Sequence, residues 1–313
     1  MLNNKDDAEM WINTPRSNAS TLCVIGGTGH VGQSLMPLLG GGEGWEVVFY
    51  VENHEQACRL ECSFQDHFVQ NWRISFDQAS IVNSDTILFI AGAKTAPQGN
   101  KNDLFASNKK IIDRYLGLMG GKNIVLVTNP CTRLGWYVES NIDAFTIGVG
   151  VQNDYNRLSY QKPDIDYIFG AHNIQEQVFY DAQENCVFDG FFNADLYNYH
   201  RETQDRYVSG QLFDLLREEL SQDEYFKWWK MQRYHSVANY SSYSCARAIV
   251  QILNYIGGAR EGKIHGEVRV RLASGESVFV GVPICNDELY CTSHSLELFL
   301  KTKDEYFEKY RLA

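Results

Sequence analysis

The chain is short of basic residues: 28 Lys+Arg stand against 39 Asp+Glu, for a net charge of -11. So few cations cannot easily assemble a basic face, which argues against a nucleic-acid backbone as partner. One local arginine could still bind a small carboxylate. Long apolar runs are also missing. None approaches the roughly 18–20 residues that a membrane span needs, so no membrane partner is expected. The N-terminal stretch 1–20 is polar, with Asp6, Asp7 and Glu9. It lacks the basic-then-apolar layout of a signal peptide and reads as a disordered or loosely packed arm. Eight cysteines occur without one CxxC pair. Several lie in strand-like apolar runs, which points to buried free thiols in a reducing cytoplasm rather than to disulfides or a metal site. No internal repeat or low-complexity segment is present. The 313 residues suffice for a large core and two subdomains.

The first half alternates strand and helix. Thr21–Ile25, Glu46–Val51, Thr86–Ala91 and Asn123–Thr128 are short apolar runs. Runs of this kind suit strands buried on both faces of a parallel sheet. Between them, 31–39, 55–68 and 102–118 have helical spacing. This rhythm predicts an α/β fold with an N-terminal doubly wound parallel sheet. The second half differs. Ile165–Phe169 is a further strand, residues 208–231 are aromatic and charged with helical periodicity, and Tyr240–Ile256 is a long helix ending at Gly257-Gly258. Alternating runs at 267–272 and 277–282, joined by Ala-Ser-Gly-Glu, read as an antiparallel hairpin. Residues 304–311 read as a closing helix. The expected organisation is an arm over 1–20, a dinucleotide-binding domain over 21–145, and an α+β substrate domain over 146–313.

The dinucleotide assignment rests on Gly27-Thr28-Gly29-His30-Val31-Gly32, placed between a strand and a helix. Glycines at this spacing let the backbone turn tightly and approach a pyrophosphate, while the helix N-terminus offers free N–H groups and a positive dipole end. Gly27, Gly29, His30, Val31 and Gly32 are therefore candidate cofactor contacts. Glu52 follows Gly32 by 20 residues, the distance expected for an acid that binds ribose hydroxyls. Tyr50 competes for that position if the loop 40–44 shifts the register, and a solvated loop residue is the plain alternative for Glu52. An acid there favours NAD over NADP by charge repulsion.

Two further strings hold reactive groups: Asp154-Tyr155-Asn156-Arg157 and Gly170-Ala171-His172. Together they offer an acid, a cation and a histidine, the set needed to reduce a 2-oxo acid with a hydride. With Ala91-Gly92-Ala93, Val127-Thr128-Asn129-Pro130, Ile147-Gly148 and the string from Gly275 to Pro283, the chain resembles the lactate/malate dehydrogenase family. The resemblance runs from about Cys23 to Asn173 and returns in the hairpin. It implies that His172 is the general acid/base, that Asp154 fixes its tautomer and favours the imidazolium, and that Arg157 clamps the substrate carboxylate. It also implies that Asn129 binds the reacting oxygen or the nicotinamide region, and that Ala91 and Gly92 lie along the cofactor. An NAD-dependent enzyme of the cytoplasm, homodimeric or homotetrameric, acting on a small 2-oxo or 2-hydroxy acid, is the expectation.

The departures from the family pattern are informative. A family arginine that polarises the substrate carbonyl is matched here by Lys101, which keeps the charge but loses the planar fork. The residue that discriminates substrates is matched by Thr95, which cannot pair with a second carboxylate. Oxaloacetate is therefore not the expected best substrate, although Lys94 could reach a distal anion. His172 is followed by Asn173-Ile174 where the family has Gly-Asp. The aromatic stretch 188–235, with His200 and Arg201, reads as a subunit interface or core, or as the lining of an enlarged pocket. Two other functions stay open: a nucleotide-binding scaffold that has lost turnover, and a glycosidase using a metal beside NAD, for which Cys131 and His172 would be the ligands.

Overall fold

The structure is a computed structural model and describes residues 10–16, 19–39, 44–67, 72–93, 101–161, 163–172, 176–189, 241–258, 262–291 and 293–312. Strand β1 (Trp11–Ile12) precedes β2 (Thr21–Ile25), in which Leu22, Cys23 and Val24 are all fully buried. Burial of consecutive residues means that both faces of the strand are covered, and β-branched and apolar side chains suit that position. Strands β3 (Glu46–Tyr50), β4 (Arg73–Ser75), β5 (Thr86–Phe89), β6 (Asn123–Leu126) and β7 (Phe145–Gly148) complete a parallel sheet in the order β7-β6-β5-β2-β3-β4. The chain reverses direction across the sheet between β2 and β5, and a doubly wound sheet binds its ligands outside the C-terminal strand ends at such a switch point.

Helices α1 (His30–Leu39), α2 (His54–Asp66), α3 (Ala79–Val82), α4 (Lys101–Asp113), α5 (Cys131–Glu139) and α6 (Gly150–Gln161) connect or follow these strands. Helix α2 starts where Asn53 accepts the Gln56 N–H, which satisfies one of the free first-turn donors. Its first residue is one position earlier than the periodicity predicts. The stretch expected as one helix over 102–118 is α4 followed by a separate 3₁₀ turn at Leu116–Leu118.

The second half extends the same sheet with antiparallel strands. β8 (Ile165–Gly170), β9 (Gln177–Asp181) and β10 (Cys186–Asp189) form a meander, and β11 (Ile264–Arg271) and β12 (Ser277–Cys285) form the expected hairpin. β11 meets β7 at Glu267 and Gly148, and β12 meets β8 at Gly281 and Gly170. Strands β13 (Glu288–Leu289) and β14 (Arg311–Leu312) pair with β12. Helices α7 (Ser241–Ile256), α8 (Ser293–Thr302) and α9 (Asp304–Tyr310) complete the described elements, with α7 packed on α1. The fold is thus α/β, with an N-terminal parallel sheet and an α+β continuation.

Two expectations are corrected. Part of the N-terminal arm is anchored: β1 pairs with β11, Ile12 is buried, and the Arg16 N–H donates to Asn123 Oδ1 at 2.8 Å. Ile12 in the core, with Met10 packed against it and Trp11 under the Arg271 guanidinium, fixes a segment that is largely polar. All eight cysteines are free, but Cys58, Cys62 and Cys186 are exposed rather than buried. The predicted helix over 208–231, His200 and Arg201 lie outside the described residues.

Candidate active site

Gly26 ends β2 with φ +93°, a conformation that L side chains rarely adopt. A methyl on Gly26 would lie 2.4 Å from the Ala91 backbone, and one on Gly27 would meet the Phe49 ring at 2.4 Å. A methyl on Gly32 would fall 2.0 Å from the Gly27 carbonyl oxygen. Gly29 differs: its methyl would meet nothing nearer than the Gly26 oxygen at 3.8 Å. Three glycines thus draw β2, β5, the loop and α1 together, while Gly29 is exposed with open space where a Cβ would stand. The first turn of α1, from His30 through Val31, has no acidic residue to compete for its N–H groups. A loop shaped this way fits a pyrophosphate.

Glu52 lies two residues beyond the end of β3, while Tyr50 is buried in the strand itself. Tyr50 is thus the last residue of the strand, and Glu52 stands in the turn that follows it. The Glu52 carboxylate is ion-paired with Arg114 and accepts the Tyr115 hydroxyl at 2.6 Å. Arg114 and Tyr115 were not singled out by the sequence, because each is distant in the chain and carries no motif.

The ends of β5 and β6 are joined by a residue that the sequence reading missed. Asn108, buried on α4, accepts the Ala93 N–H with Oδ1 at 2.6 Å and donates from Nδ2 to the Asn129 carbonyl. The Thr128 hydroxyl donates to the Ala91 carbonyl at 2.8 Å. Ala91, Gly92 and Asn129 therefore sit on adjoining loops, with the Asn129 and Gly92 side-chain positions exposed. The Asn129–Pro130 peptide is cis.

Asp154 and Arg157 are one turn apart on α6, so they share a face. The Asp154 carboxylate is buried and lies 2.8 Å, through Oδ2, from His172 Nδ1; Gln177 Nε2 donates to the same oxygen at 2.7 Å. His172 reaches it because Gly170 has φ +119°, and a methyl there would overlap the Glu176 carbonyl at 1.8 Å. Burial opposes the charged ring, but Asp154 and, further off, Glu267 outweigh it, and the His172 pKa lies above the usual imidazole value. Arg157 Nε donates to Ser244 Oγ on α7 at 2.9 Å, which orients its guanidinium.

Behind His172 lies a second acid with no sequence motif. Glu267, on β11, is fully buried. Its Oε1 accepts the Thr132 hydroxyl at 3.0 Å, and its Oε2 accepts the Val151 N–H at 3.2 Å. The Thr132 oxygen in turn accepts the His172 backbone N–H at 3.2 Å. Burial raises the Glu267 pKa, and His172 opposes that rise. Alternation along the strand gave no signal, because it places Glu267 in phase with Arg269 and Arg271 on the polar face, and only the packing of β11 buries it.

Thr95 and Lys94 lie outside the described residues, as do Asn173 and Ile174. Lys101 is the first residue of α4. Cys131 is buried at the start of α5 with its Sγ 3.1 Å from the Leu126 carbonyl. Among the described residues, no three His, Cys, Asp or Glu side chains come together as a metal site, and no helix is long and apolar enough to cross a membrane.

No protein-family model matches the chain, and no curated protein sequence matches it. Its fold is that of solved lactate and malate dehydrogenases. A Cryptosporidium parvum lactate dehydrogenase complexed with lactic acid and β-nicotinamide adenine dinucleotide superposes with a TM-score of 0.60 at 13% identity, covering 94% of this chain and 98% of that one. An Eimeria maxima lactate dehydrogenase with NADH and oxamate gives 0.57 at 15%, covering 94% of each chain. The Cryptosporidium parvum malate dehydrogenase gives 0.56 at 16%, covering 93% and 98%.

Proposed function

We propose that this chain is an NAD-dependent oxidoreductase that interconverts a 2-hydroxy acid and a 2-oxo acid. The observation that supports it most directly is the buried Asp154 carboxylate 2.8 Å from His172 Nδ1, connected by adjoining loops to a glycine turn shaped for a pyrophosphate. In the reducing direction, His172 donates the proton on Nε2 to the substrate carbonyl oxygen. Asp154 accepts the Nδ1–H throughout, which fixes the ring and stabilises its charged form before the proton leaves. Gln177 holds Asp154 in place. Arg157, oriented by Ser244, binds the substrate carboxylate through its fork. Asn129 binds the reacting oxygen or the nicotinamide region, and Lys101 supplies positive charge to the carbonyl in place of an arginine.

Gly27, Gly29, His30, Val31 and Gly32 would hold the pyrophosphate, Glu52 the ribose, and Ala91 with Gly92 the length between. When bound, the dinucleotide supplies the hydride. Glu52 favours NAD over NADP. Thr95 leaves the substrate pocket without a partner for a second carboxylate, so a neutral or bulky 2-oxo acid is the proposed substrate rather than oxaloacetate. The proposed setting is a cytoplasmic homodimer or homotetramer.

The test is oxidation of NADH and NADPH against a panel of 2-oxo acids from pyruvate and oxaloacetate to branched and aromatic ones, with His172→Asn as control. Turnover of a neutral acid, lost in the variant, is expected. Binding of NADH with no turnover of any acid would overturn the enzyme reading and leave a nucleotide-binding scaffold. A clear preference for oxaloacetate would overturn the role given to Thr95.

A further inference from the structure

Glu267 is a fully buried acid that the proton transfer described above does not use. Burying an ionisable group without function is costly, and such groups persist only where their oxygens are satisfied. Here both oxygens accept: Oε1 from the Thr132 hydroxyl, Oε2 from the Val151 N–H. Val151 lies in the first turn of α6, where free N–H groups and the helix dipole favour an anion. Both contacts therefore match a carboxylate rather than a carboxylic acid, whose O–H would face a donor.

The acid occupies a niche cut out by glycines. A methyl on Gly148 would lie 2.6 Å from Glu267 Oε2. A methyl on Gly150 would lie 2.3 Å from His172 Cβ and 3.0 Å from Glu267 Oε1. A single methyl at Gly150 would thus touch both residues, so the histidine and the buried carboxylate pack against the same bare stretch of backbone. The Thr132 hydroxyl completes the connection, since it accepts the His172 N–H while it donates to Glu267.

We propose that Glu267 is a positioning residue for His172. Through Thr132 it fixes the histidine backbone, and from behind it presents a second carboxylate that favours the imidazolium set up by Asp154. The inference rests on the reading of His172 as the proton donor. The titratable groups that face Glu267 are His172 from the loop after β8, Asp154 from α6, Cys131 from α5, and Tyr306 and Tyr310 from α9. Of these, only His172 can gain a positive charge. Asp154 is the other acid close to it, so removal of Glu267 leaves the ring with one carboxylate.

The test compares wild type with Glu267→Gln, Thr132→Val and Thr132→Ser. A glutamine has one acceptor oxygen, so it cannot accept from both Thr132 and Val151, and it has no charge. His172 is followed by imidazole ¹³C NMR titration, assigned with His172→Asn, in parallel with NADH binding and steady-state turnover of a 2-oxo acid that wild type uses. Glu267→Gln is expected to lower the His172 midpoint by about half a pH unit or more and kcat by about tenfold, with NADH affinity within about twofold. Thr132→Ser is expected to stay close to wild type, while Thr132→Val loses kcat as the glutamine variant does. An unchanged His172 midpoint and kcat in folded Glu267→Gln would overturn the proposal. If that variant does not fold, equal kcat for Thr132→Val and Thr132→Ser would overturn it. If wild type turns over no 2-oxo acid, the function fails instead, and the NMR titration still decides the role of Glu267.

Discussion

His265 offers a quantitative test of the hairpin core. Its side chain is fully buried on β11, its ring stacks on Tyr155 with centroids 3.8 Å apart, and neither ring nitrogen has a hydrogen-bond partner among the described residues. Burial, with a smaller effect from Lys263, holds its pKa well below the usual imidazole value. The perturbation is His265→Phe, which keeps the stacked ring and removes the two orphaned nitrogens. Leaving a buried polar group unsatisfied costs about 1–3 kcal/mol. The larger phenyl ring can cost a similar amount by overpacking. The absolute change in stability therefore discriminates poorly, but its pH dependence does not share that ambiguity.

The folded pKa lies below the unfolded one, so the unfolded chain takes up the proton first as the pH falls. Stability linked to this group is complete above about pH 6.5 and is lost as the pH drops below it, by up to about 1.4 kcal/mol per pH unit. Between pH 7.5 and 5.5 the wild type should lose about 1 kcal/mol more than the phenylalanine variant. Urea unfolding of both proteins at the two pH values, by fluorescence and circular dichroism, measures the difference. Parallel stability curves over this range would refute the view that His265 is held neutral by burial.

Glu139 gives the opposite sign. It is buried, its Oε1 accepts the Thr146 N–H at 2.7 Å, and burial raises its pKa to about 7. The folded state therefore holds a proton that the unfolded chain releases near pH 4.5, so stability is lost as the pH rises from there through 7. Glu139→Gln should gain on wild type over that interval in the same unfolding assay. In the glycine turn, Gly32→Ala should lower both the melting temperature and NADH affinity, because its methyl meets backbone at 2.0 Å. Gly29→Ala should weaken NADH binding with the melting temperature unchanged; calorimetric titration and thermal melts separate the two. Arg114→Ala removes the cation paired with Glu52 and should increase discrimination against NADPH, read as the ratio of the two dissociation constants.

The parallel half of the fold was legible because its strands are buried on both faces and read as unbroken apolar runs. The hairpin of β11 and β12 was legible from alternation and its Ser-Gly turn. Helix α5 was not anticipated, since Gly135 and Trp136 interrupt its periodicity and its start is set by Pro130. The strand β9 was not anticipated either: its apolar run is only Val178-Phe179-Tyr180, and Gln177, buried beside Asp154, reads as a polar loop residue. At the site, Asp154, His172 and Arg157 stood out through their spacing. Their supports did not, because Asn108, Ser244 and Glu267 reach the site from distant parts of the chain, while Thr132 and Gln177, near Asn129 and His172 in sequence, carry no motif and are placed only by the fold.

The bare backbone at Gly148 and Gly150 also bears on how this sequence can change over time. A methyl at Gly148 overlaps both Glu267 Oε2 at 2.6 Å and Cys131 Sγ at 2.9 Å, and one at Gly150 overlaps His172 at 2.3 Å and presses on Glu267 at 3.0 Å. A substitution at Gly148 therefore needs a smaller residue 267 and room beside Cys131 first, whereas the loss of the acid needs no earlier change at the glycines. The three positions form a one-way gate: a lineage that fills the niche with an aliphatic side chain closes the route back to the acid.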